Sequence, residues 1–206
     1  MEYATIIAAI LLVDLLALIT PGPNFILTTT AAVSKSRRTA LWTACGIATG
    51  SLVWAAAAAL GIASVLEAVP LLATGLKLVG SAYLVFLGFK LLMSRGFEPS
   101  SLQQASAKRG INGFWRGFLV NMSNPKSAAY YASVFAAFLN PDMPAWVLVF
   151  LIVAIAAMSL SWHTIVAMSF SATLVKARYI SASKSIDRLC GGILVLLGLR
   201  LALEGQ

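Results

Sequence analysis

The residues able to do chemistry in this 206-residue chain are few, and they sit inside runs that are otherwise apolar. Lys126 lies about 13 positions from either end of the run over 113–139, so at 1.5 Å per residue it is roughly 20 Å from both surfaces of a bilayer that this run would span. A lysine stem of about 6 Å cannot snorkel that far. Its ammonium must face a polar cavity, an anionic partner or a substrate carboxylate. The plainest structural alternative is a fixed ion pair to Asp14. That carboxylate precedes Pro21 by about two turns within the first apolar run. It could receive a substrate ammonium, carry a coupling proton or neutralise Lys126, unless it is a shallow, water-exposed group. His163, beside Trp162 in a later run, offers a second proton-relay candidate, against which stands a hydrogen-bonded packing role.

Two proline motifs give these groups a setting. Thr20-Pro21-Gly22-Pro23-Asn24 interrupts the run over 3–33, and Asn124-Pro125-Lys126 interrupts 113–139. Proline lacks a backbone N–H and clashes with the preceding turn, so each run should be two half-helices meeting at freed carbonyls and amides. Lipid does not tolerate such groups; they must line an enclosed cavity, and paired broken spans point to a transporter's binding site. Half-helix N-termini beyond Pro23 and Pro125, together with Lys126, suit a carboxylate; freed carbonyls, with Asp14, suit an ammonium. Asn24, Asn121 and Asn124 can bond orphan backbone groups or a ligand. Tyr130 and Tyr131 follow the second break, where one could line the cavity against a default of aromatic packing. The substrate-binding candidates are therefore Pro21, Gly22, Pro23, Asn24, Asn124, Pro125, Lys126 and Tyr130, and the proton-coupling candidates are Asp14 and His163.

The elements that must position these residues are membrane helices. Hydrophobic residues make up 60% of the chain and charged residues 11%, with a mean hydropathy of +0.89. Apolar segments at 3–33, 40–62, 71–93, 113–139, 145–170 and 186–203 are each long enough for a bilayer core of about 30 Å. The fold class expected is an all-α integral membrane protein of about six transmembrane helices, the first and fourth broken at the proline motifs. Small residues such as Gly46 and Gly50 in the second span, and Gly80, Gly88, Gly191, Gly192 and Gly198 elsewhere, read as close helix packing.

The net charge of +8 is a topology signal. Lys35, Arg37, Arg38, Arg95, Lys108, Arg109, Lys176, Arg178 and Lys184 fall in the first, third and fifth connections; the second and fourth carry Glu67 and Asp142 without any Lys or Arg. The positive-inside rule puts the basic loops in the cytoplasm and both termini outside. Attraction to anionic lipid accounts for these cations, so no nucleic-acid partner is expected. The start Met1-Glu2-Tyr3 lacks a basic n-region, which reads as an uncleaved first span. Cys45 and Cys190 lie in different spans without CxxC spacing, and read as buried apolar thiols.

The third and sixth spans share a pattern. Leu84-Val85-Phe86-Leu87-Gly88-Phe89-Lys90-Leu91 matches Leu194-Val195-Leu196-Leu197-Gly198-Leu199-Arg200-Leu201. Pro21 pairs with Pro125 and Trp42 with Trp146 at a similar offset. Three spans is an odd number, so the second copy enters the membrane from the opposite side, an inverted repeat. The organisation expected is a first three-helix repeat over 1–93, a cytoplasmic linker over 94–112 and a second repeat over 113–206. Rocking of one repeat against the other would alternate access to the site.

At the breaks the sequence resembles the LysE/RhtB-type amino-acid exporters. The T/S-P-G-P motif followed by Asn or Asp is met by Thr20 to Asn24, the N-P-K motif by Asn124 to Lys126, and the Gly-rich second span and Leu-Gly endings agree. Similarity is greatest to the threonine and homoserine efflux subgroup, judged from Ala32 to Arg37, Val53-Trp54-Ala55, Tyr130 to Phe135 and Ile186-Asp187. The resemblance implies efflux of small neutral amino acids such as threonine or homoserine, against proton entry, across the cytoplasmic (inner) membrane of a bacterium. Position 24 is Asn where close relatives often carry Asp, which removes one charge from the cavity. The partners expected are the amino acid, protons and membrane lipid, with a homo-oligomer as a further candidate. Rival readings are a channel or a non-transporting scaffold, neither of which needs a midplane ammonium. An enzyme is not expected: His163 has no HExxH or Ser–His partner, and neither a metal site nor a cofactor is implied.

Overall fold

The computed structural model describes residues 2–69, 72–96, 112–139, 142–170 and 173–203, and every regular element among them is an α-helix. In chain order these are α1 (Glu2–Ile19), α2 (Pro23–Ser34), α3 (Arg37–Ala68), α4 (Leu72–Leu92), α5 (Gly113–Met122), α6 (Pro125–Phe138), α7 (Ala145–Ser169) and α8 (Thr173–Leu203). Residues 97–111, most of the expected linker with Lys108 and Arg109, lie outside the described residues.

Both proline motifs act as helix boundaries. α1 ends before Pro21 and α2 starts on Pro23, with Gly22 extended between them, and the two helices meet at a bend of 51°. Pro125 opens α6, a position where the missing N–H costs no helical hydrogen bond. α3, α4 and α7 are long and apolar enough to cross a membrane, and the bent α1–α2 pair makes a fourth crossing if taken as one span. The pair α5–α6 carries Arg116 and Lys126, and the 186–203 stretch of α8 carries Asp187, Arg188 and Arg200, which lowers the apolar character of both. α8 also begins well before the expected span at 186, because the 173–190 segment contains neither proline nor glycine to stop it.

The helices approach closely through small residues. A β-carbon at Gly46 of α3 would collide with the backbone of Phe114 and Phe118 on α5, and one at Gly117 of α5 with the backbone of Thr43 and Ile47 on α3. Along α4 and α8, Gly88 faces Gly191 and Val195, while Gly198 faces Ser81 and Val85. Gly80 sits against Ser133 and Ala137 of α6. Gly192 departs from the packing expectation, for nothing lies within 4 Å of a β-carbon built there. Adjacent helical residues point about 100° apart, so α4 can be met by Gly191 or by Gly192 but not by both. Gly46→Ala should therefore destabilise the protein by about 1–3 kcal/mol through forced separation of α3 and α5, while Gly192→Ala should leave it unchanged or slightly stabilised. Thermal melts of the two purified variants check this; equal melting temperatures would contradict the packing.

Between these crossings lies a core of Ile10 and Val13 from α1, Leu84 from α4, Phe135 from α6, Leu151 and Ile155 from α7, and Leu194 from α8. Val79, Phe89, Val149 and Leu196 are exposed. An apolar exterior is what lipid requires of a membrane bundle.

Candidate functional site

The first break is held by side chains as well as by its prolines. Thr20 Oγ1 donates to Leu16 O at 2.8 Å, and Tyr179 Oη on the early part of α8 donates to Ile19 O at 2.8 Å. Ile19 O, the carbonyl orphaned by Pro23, is thereby satisfied, as a buried backbone acceptor must be. The Tyr179 ring also stacks on Phe25 at 4.6 Å. Gly22 caps α2 with its backbone alone, in an extended conformation and without a side-chain hydrogen bond.

The second break is organised by asparagines. Asn124 Oδ1 accepts from Lys126 N at 3.0 Å, an N-cap that turns the chain into α6. Asn121 Nδ2 donates to Ile47 O at 2.6 Å and to Ser51 Oγ at 3.0 Å, which ties α5 to α3. Asn121 is a fastener. Ser51 Oγ in turn lies 3.1 Å from Ser159 Oγ of α7, so one polar thread joins three helices.

The breaks face each other across α2 and α6. Lys126 Nζ lies 3.6 Å from where a β-carbon at Gly22 would stand, which places the ammonium beside the first break. Two spaces meet here. A small chamber of about 60 Å³ is lined by Asp14, Thr20, Gly22, Pro23, Asn24, Ser51, Asn124, Lys126, Tyr130, Tyr131 and His163. A larger cavity of about 520 Å³ is lined by Thr20, Pro21, Gly22, Pro23, Tyr83, Phe86, Leu87, Lys90, Leu91, Ser94, Pro125, Lys126 and Asp187. Thr20, Gly22, Pro23 and Lys126 line both and form the wall between them.

The substrate-binding and proton-coupling candidates thus gather around one junction, whereas Asn121 stands apart from it. Gly22, Pro23, Asn24, Asn124, Lys126 and Tyr130 face the chamber together with Asp14 and His163; Pro21 and Pro125 face the larger cavity. Asp14 is buried, not shallow, and lines the chamber together with Tyr130 and Tyr131. Asp14 Oδ2, Tyr130 Oη and Asn24 Oδ1 have no hydrogen-bond partner in the protein. His163 Nδ1 bonds to Ser159 O at 2.9 Å, its own helix one turn back, and this contact fixes the ring beside the chamber. Both tyrosines line the chamber, beyond the single one expected.

Two participants escape a linear reading. Tyr179 lies in the polar, cationic start of α8, outside every apolar run. Asp187 is buried at 2% exposure, lines the larger cavity and is the carboxylate whose charge acts on Lys126, a role the sequence had suggested for Asp14. Ser94 Oγ donates to Asp187 Oδ2 at 2.6 Å, and Gly96 N donates to Ser94 Oγ at 3.0 Å from a left-handed turn with φ 85. Asp187 Oδ1 has no partner. The available signal was a carboxylate seven positions ahead of the Leu194–Leu201 repeat segment, within helical reach of a buried face.

Residues 15–205 match the family described as LysE type translocator. The threonine efflux protein of Salmonella typhi is 30% identical over 196 residues, covering 94% of this chain and 95% of that protein. The threonine efflux protein of Escherichia coli K12 is 29% identical over the same length, with the same coverage. The leucine efflux protein of an Enterobacter species (strain 638) is 26% identical over 177 residues, 86% of this chain and 83% of its own. No solved structure matches the chain.

Proposed function

The chain belongs to the LysE type translocator family, and we propose that it is a secondary exporter of small neutral amino acids of the threonine and homoserine kind, driven by proton entry across a bacterial inner membrane. The observation that carries this reading is the junction itself. A glycine and an ammonium from two broken helices face each other at the wall between a chamber and a cavity large enough for a small amino acid. The N-terminus of α2 and Lys126 suit a carboxylate, and the threonine and leucine efflux proteins among its relatives point to the chemistry of the cargo.

Six crossings in two inverted three-helix repeats, 1–93 and 113–206 joined by a cytoplasmic linker over 94–112, complete the reading. Support comes from reciprocal packing: Gly88 meets Gly191 and Val195, and its repeat partner Gly198 meets Ser81 and Val85, the repeat partners of Gly191 and Val195. With both termini outside, as the loop charges require, the larger cavity opens toward the cytoplasmic end of α4 at Ser94. Near the middle of α4, Gly80 packs tightly against Ser133 and Ala137 of α6, beyond the reach of this cavity. This is the arrangement of an inward-facing carrier, and rocking of the repeats would expose the junction outward. Asp14, with His163 beside it in the chamber, is the site of proton exchange.

Cells overproducing the protein should tolerate higher external threonine or homoserine and hold a smaller internal pool. Unchanged pools of every neutral amino acid, with the protein present in the membrane, would refute the function.

A further inference from the structure

We propose that Asp187, held by Ser94, receives the α-ammonium group of the transported amino acid, opposite Lys126 as receptor of its carboxylate. This rests on the exporter reading and names the second half of its site.

The two buried carboxylates face different spaces. The chamber beside Asp14, at about 60 Å³, is the smaller of the two by far, and the cavity on the other side of the wall, at about 520 Å³, is the roomier place for an amino acid. Asp187 lines the 520 Å³ cavity, where it is the only acidic residue among the described ones. Its Oδ2 is engaged by the Ser94 hydroxyl, whereas Oδ1 is buried and has no protein partner. A buried, unpartnered carboxylate oxygen is costly, and an ammonium with its three donors is the group that satisfies it.

The carbonyls of Leu16 and Ile19 at the first break already accept hydrogen bonds from Thr20 and Tyr179, so they offer an ammonium less than the sequence suggested. Lys126 and Asp187 act on each other electrostatically from the same cavity wall, so a zwitterion placed between them meets a cation with its carboxylate and an anion with its ammonium. Lys90, the other charged lining residue, is exposed. Tyr83, Phe86, Leu87 and Leu91 supply the remaining wall, an apolar surface for an uncharged side chain.

Three probes separate the two ends of the ligand: threonine, 3-hydroxybutyrate, which lacks the ammonium, and threoninamide, which lacks the carboxylate. Binding of each to the purified full-length protein is measured in detergent. Asp187→Asn should weaken threonine roughly 10- to 150-fold, the worth of one charged contact, while 3-hydroxybutyrate is unaffected. Lys126→Ala should weaken threonine and spare threoninamide. An Asp187→Asn protein that keeps the wild-type preference for threonine over 3-hydroxybutyrate, or that weakens both equally, overturns the assignment. Should that variant fail to fold, Ser94→Ala, just beyond the end of α4, must lower the same preference several-fold, and an unchanged preference overturns the assignment equally. Wild-type protein that binds no amino acid at all refutes the exporter reading itself, a different result from selective failure of the Asp187 variant.

Discussion

Lys126→Ala should reach the membrane at the wild-type level yet bind threonine roughly 10- to 150-fold more weakly, the loss of one charge-assisted contact worth about 1.5–3 kcal/mol. The expectation follows from where the ammonium sits. It faces Gly22 at the wall shared by the two cavities, on the first turn of a half-helix whose N-cap is already supplied by Asn124. Arginine should rescue only in part, because its planar fork is bulkier and sets its donors elsewhere. A purely structural lysine would behave differently. Its removal would strand Asp187 as an uncompensated buried charge, lower protein level, and be repaired by adding Asp187→Asn. Protein level and affinity measured on the same preparations distinguish the two, and normal values of both would eliminate both roles.

Asp14→Asn should abolish uphill transport while leaving downhill exchange measurable. Asparagine keeps the size and polarity of the side chain but cannot take up and release a proton. With one proton exchanged per substrate, a gradient of one pH unit supports up to about tenfold accumulation, and the variant should fall to no accumulation at all. The site suits this role: Asp14 lines the chamber together with Tyr130 and Tyr131 and keeps an unpartnered carboxylate oxygen there, and His163 also lines it. Undiminished accumulation by Asp14→Asn vesicles would transfer the role to His163 or to water.

Much of the site was legible because its signals are local. Proline removes an N–H wherever it stands, so Pro21, Pro23 and Pro125 mark helix ends without any knowledge of the fold. Lys126 declares itself by distance from both ends of its run. Asp187 and Tyr179 carry no such mark. Asp187 matters because a turn at Gly96 brings Ser94 to it and because α8 lies along the first break, and both are juxtapositions between distant parts of the chain. Hydropathy also hid the early part of α8, whose Lys and Arg residues conceal an uninterrupted helix. Gly192 failed for the opposite reason: composition suggested packing, but only the register of α8 on α4 decides which of two adjacent glycines meets the neighbour.

The central claim is that the two broken helices form a saturable carrier site for a small neutral amino acid. Counterflow tests it most directly: proteoliposomes loaded with unlabelled threonine are diluted into a trace of labelled threonine. A carrier predicts transient accumulation of label above equilibrium, dependent on the internal load and lost in Lys126→Ala. Label that only equilibrates, at a rate linear in concentration and indifferent to internal threonine, would contradict the account.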